Sequence, residues 1–99
     1  MPPPLQYILL IHGSTATPPQ PLEWDAFFER AKASGLFKGG SAIGAKMQIG
    51  APVTSALSEH ISGFMRFDSD DKESVLELLK LHPVILNGGT VELCELPKD

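Results

Sequence analysis

Three imidazoles and one indole carry most of the chemistry this chain offers. His12, His60 and His82 are its only histidines, and Trp24 is its only tryptophan. Imidazole titrates near neutrality, so each histidine is a candidate general acid or base. His82 is the first candidate. Val75, Leu78, Leu79 and His82 recur at i, i+3, i+4 and i+7, which sets the imidazole on the apolar face of a helix, at its end. The helix dipole there favours the imidazolium, while burial opposes it. The plainer reading of such a residue is a hydrogen-bonded core histidine. His12 is the second catalytic candidate; it closes an apolar run and otherwise reads as a polar strand end. Trp24, Glu59 and His60 are candidate ligand-binding residues. Trp24 shares a helical face with Phe27, Phe28 and Ala31, so it serves first as core and second as a pocket wall. By default Glu59 is a solvated side chain and His60 a loop residue.

Other chemistries fit less well. Three histidines invite a metal reading, but the local ligand spacings of zinc sites are absent, so no metal and no cofactor is expected. Cys94 has no base beside it in sequence and reads as a packing residue. Asp68, Asp70 and Asp71 form a helix-start cluster whose spacing is not that of a calcium loop. Gly39-Gly40 and Gly88-Gly89 match no phosphate-binding pattern and read as tight turns at strand entries.

The elements that must position these groups follow from periodicity. Leu5 to His12 is a strand with apolar residues on both faces. A loop rich in proline and small residues leads to a helix over Leu22–Ser34, ended by Gly35. Ser41 to Ile49 reads as a second strand. A long small-residue connection holding Pro52 follows, and then a third strand over Ile61–Phe67. A second helix opens at Asp70, with Glu73 at capping-box spacing and Ser69 as the alternative cap, and Pro83 stops it. Asn87-Gly88-Gly89 is a turn, and Thr90–Leu96 alternates as a last strand. The expected fold is one α+β domain over residues 1–99, with flexible ends at 1–4 and 97–99. Its order is β-α-β-β-α-β, the ferredoxin-like arrangement, with a four-stranded antiparallel sheet and two helices on one face.

That topology brings His12, Trp24, Glu59, His60 and His82 to one end of the sheet, where a cleft partly closed by the 50–59 connection is expected. It also leaves Ile8 and Leu10 on the helix-free face. A second copy related by two-fold symmetry would cover them, giving a homodimer and a dimeric α+β barrel.

Composition narrows the partners. Net charge is −4, with 42% hydrophobic and 20% charged residues. No cluster of Lys or Arg offers a surface to nucleic acid or to an anionic membrane. No apolar run approaches the ~20 residues of a membrane span. A single cysteine and the lack of a charged leader segment give the expectation of a cytoplasmic protein.

Several segments also resemble a known family. Tyr7-Ile8-Leu9-Leu10-Ile11-His12-Gly13 resembles the first strand of YCII-related proteins, the group that includes DGPF-domain proteins. Ser34-Gly35-Leu36-Phe37-Lys38-Gly39-Gly40, Glu59-His60-Ile61-Ser62-Gly63-Phe64, His82-Pro83 and Gly88-Gly89-Thr90-Val91-Glu92-Leu93 are similar to later segments of the same family, in the same order. The resemblance implies a ferredoxin-like subunit and a dimeric α+β barrel. Some members are thought to be enzymes, among them a dehydrochlorinase, and a His–Asp pair is proposed as the site in some. Here Trp24 stands where those members carry the histidine, and His82 where they carry the aspartate. The DGPF tetrad is replaced by Gly50-Ala51-Pro52-Val53. The expectation is a small-molecule-binding protein, a lyase or isomerase using histidine acid–base chemistry. The alternative is a non-catalytic ligand-binding or accessory dimer.

Overall fold

The first strand, β1 (Leu5–His12), is the axis of the sheet. It runs antiparallel to β3 (Ile61–Ser69) on one side and to β4 (Val91–Glu95) on the other. β2 (Phe37–Ala42) pairs antiparallel with β3, so the sheet order is β2-β3-β1-β4. The helices are α1 (Pro21–Ser34), α2 (Lys72–Leu79) and the short α3 (Pro83–Leu86). This computed structural model describes residues 5–51 and 58–97. Most of the connection expected to close the cleft, with Pro52 and Val53, lies outside the described residues, as do the chain ends 1–4 and 98–99.

The α+β architecture and the four-stranded antiparallel sheet agree with the sequence. Alternation in β1 turns Tyr7, Leu9 and Ile11 inward, and Met65 and Phe67 of β3 face the same way. Phe27 and Ala31 of α1, Val75, Leu78 and Leu79 of α2, and Val84 of α3 pack on them. Each Val, Leu, Ile, Phe or Met among them contributes roughly 1.5–3 kcal/mol by leaving water. On the opposite face Ile8, Leu10 and Phe64 remain half-buried, beside exposed Arg66 and Glu92. Among the described residues no helix is long and apolar enough to cross a membrane.

Element ends differ from expectation where backbone pairing overrides local pattern. β2 lies over Phe37–Ala42 rather than Ser41–Ile49. Gly39 and Gly40 are not a turn but a bulge inside the strand. Gly39 has φ 111°, and a Cβ on Gly40 would come within 2.3 Å of the Phe64 carbonyl oxygen, so glycine lets β2 approach β3 closely. The last bond of this edge is from Ile43 N–H to the Ser62 carbonyl, at 2.9 Å.

The second helix is also shorter than the periodicity suggests. Ser69 belongs to β3, and the cap is Asp71, not Asp70: its carboxylate accepts the Ser74 N–H at 2.8 Å. α2 ends at Leu79, two turn bonds follow, and His82 begins a new helix instead of ending the old one. Pro83, read as a stop, occupies the first turn of α3, where its missing N–H costs nothing.

Candidate functional site

His82 is held by the kink between two helices. As the N-cap of α3, its Nδ1 accepts the Val84 N–H at 3.2 Å. The proton therefore sits on Nε2, which has no hydrogen-bond partner among the described residues. The ring is fully buried, edge-on to Phe27 at 4.8 Å and to Trp24 at 5.2 Å between centroids. Burial pushes its pKa down to about 4, so it is neutral at physiological pH. The dipole argument for an imidazolium does not apply, because His82 stands at a helix start.

His12 has the opposite setting. It ends β1 at an irregularity in the β1–β3 register, and its N–H donates to the Thr90 carbonyl at 3.1 Å. Its Nε2–H donates to the Glu92 carboxylate. Glu92 pairs with Leu10 across β1 and β4, so it reaches His12 along the sheet diagonal. The His60 ring lies over His12, with centroids 4.7 Å apart and planes tilted by 33°. The His60 carbonyl accepts the Gly13 N–H at 2.7 Å, which ties the end of β1 to the turn before β3.

Between α1 and this end of the sheet lies a cavity of about 370 Å³. Trp24 and Phe28 form its helical wall, and Ile11, Phe37, Met65 and Val84 give it an apolar interior. Gly40 and Gly63 line the sheet side. His12, Thr15, Ser41 and Ser62 are its polar lining. The loop carrying Thr15 and Pro19 is fixed by Asn87, whose carbonyl accepts the Ala16 and Thr17 N–H groups at 2.8 and 3.2 Å. The Asn87 side chain adds bonds to Thr17, Glu23 and the Pro83 carbonyl. At Gly89 a Cβ would lie 2.6 Å from Val84 and 2.7 Å from Thr15, so the glycine turn is what lets loop and α3 meet.

The sequence candidates therefore divide. His12 and Trp24 line the cavity; His60 stacks at its edge without lining it. His82 packs behind Trp24 and does not line it. Glu59 is exposed and also does not line it. Glu92 and Asn87 were missed. In sequence Glu92 is one more polar residue of an alternating strand; only the pairing of β4 with β1 brings it to His12. Chemically, an imidazole hydrogen-bonded to a carboxylate beside an apolar cavity is an oriented acid–base group. Among the described residues no three His, Cys, Asp or Glu side chains group as metal ligands. Compared with protein-family models and with curated proteins, the chain matches none, so its site is defined by its own residues alone.

Proposed function

We propose that the protein is a YCII-like, small-molecule-binding dimer whose ligand occupies the cavity beside His12. His12, held by Glu92, acts there as the general acid or base of a lyase or isomerase. The observation that carries this reading is the His12–Glu92 pair at the lining of an apolar, aromatic-walled cavity. The sheet order β2-β3-β1-β4, with every pairing antiparallel, supports a ferredoxin-like subunit. The half-buried Ile8, Leu10 and Phe64 on the helix-free face support a second copy as cover, completing an α+β barrel.

Lyases and isomerases of this kind begin by moving a proton to or from carbon. The direct test is solvent deuterium exchange into enolisable ligands, monitored by mass spectrometry. The expected result is exchange that His12→Gln abolishes while the ligand still binds. Binding without exchange would leave the non-catalytic module as the reading. Dimerisation is tested separately: Leu10→Glu is expected to convert a dimer into a folded 10.7 kDa species in sedimentation equilibrium.

A further inference from the structure

We infer that the cavity selects uncharged ligands and discriminates against carboxylates and phosphates. The inference rests on the reading of the cavity as the ligand site and adds the chemical class of the ligand.

The first argument is charge. Among the described residues no Lys or Arg lines the cavity, and the one ionisable residue in its lining is His12. His12 is bonded to the Glu92 carboxylate, so the pair offers no net positive charge. The feature most apt to attract an anion would be the amino end of α1, beside Trp24. That end already holds a carboxylate: Glu23 accepts the Gln20 N–H at 2.8 Å. The amino end of α3 is filled by the His82 imidazole. An anion entering the cavity would lose its hydration and meet no counter-charge, a cost of several kcal/mol for a buried charge.

The second argument is the wall itself. Ile11, Trp24, Phe28, Phe37, Met65 and Val84 give the cavity a mostly apolar lining. A neutral molecule with an apolar body leaves water for such a lining at little cost, whereas a charged group does not.

Trp24 is the single tryptophan and a wall of the cavity, so its fluorescence reads occupancy directly. The experiment titrates the full chain with 4-bromobenzyl alcohol and 4-bromobenzoate at about pH 8, where the benzoate is fully ionised. Bromine quenches the indole. The expected result is saturable quenching by the alcohol, with the benzoate weaker by about fivefold or more, a difference near 1 kcal/mol. Benzoate within fivefold of the alcohol overturns the inference. If neither probe quenches saturably, the cavity itself is not a ligand site and the reading beneath the inference falls with it. Gly63→Leu, which places a side chain in the cavity, is expected to remove the saturable phase for both. Quenching that survives this change would place the probes elsewhere and overturn the inference.

Discussion

His12 and His82 stand at the same end of one sheet, yet they are different chemical objects. His12 is bonded through Nε2 to a carboxylate and belongs to the lining of a cavity. His82 is sealed among Phe27 and Trp24, with its Nε2 unpartnered among the described residues and its charged form disfavoured. Topology brought both to one place. What separates them is a single indole ring, which walls the cavity and covers His82. Proximity along a chain path thus says where a residue is, and side-chain layering says whether water, protons and ligands reach it.

Removing that ring is the largest perturbation. Trp24→Ala is expected to cost about 3 kcal/mol in urea unfolding, the lower end for emptying a large aromatic core site, because part of the ring already faces the cavity. It should also raise the His82 pKa above about 4, seen by NMR titration of the ring. A stable variant with an unchanged His82 pKa would show that the indole is not the seal.

Acid makes the next test. The unfolded chain binds a proton at His82 near pH 6.5, whereas the folded one resists until about pH 4. Stability is therefore fully present above pH 6.5 and falls as pH drops toward 4, by about 3 kcal/mol from this residue. His82→Asn keeps an acceptor for the Val84 N–H and removes the titration. It should be less stable near pH 7.5 but show a shallower loss between those limits in thermal melts. An equal slope in both proteins would assign the acid loss to carboxylates.

The smallest expected effect on stability is at the other histidine. His12→Gln removes one partner of a solvent-accessible pair, and a change below about 1 kcal/mol is expected. Proton exchange into a bound ligand should vanish all the same. A loss comparable to that of Trp24→Ala would make His12 a structural residue.

How much of this could be read in advance differs from residue to residue. β1 and the Gly35 end of α1 were legible because alternation and a left-handed glycine are local signals. The burial of His82 agrees with the sequence, although the helical series behind that expectation stops at Leu79. Its neutrality was not legible, because nothing local shows that Pro83 opens a helix and makes His82 a cap. The bounds of β2 were misread because Gly39-Gly40 has the composition of a turn, and only the partner strand reveals a bulge. Glu92 was invisible as a site residue, since its role comes from a residue 80 positions away.

The two glycines on the sheet side of the cavity have unequal histories available to them. At position 40 a methyl group would overlap the backbone of β3, 2.3 Å from the Phe64 oxygen and 2.9 Å from the Met65 Cα. At position 63 the nearest atom is the Ser41 carbonyl oxygen at 3.1 Å, and the next are 3.6 Å away. Selection can therefore narrow this chamber one carbon at a time from β3, but not from β2 without parting the strands. Descendants of this chain that come to prefer smaller guests should carry the change at residue 63, while residue 40 stays fixed as glycine across them all.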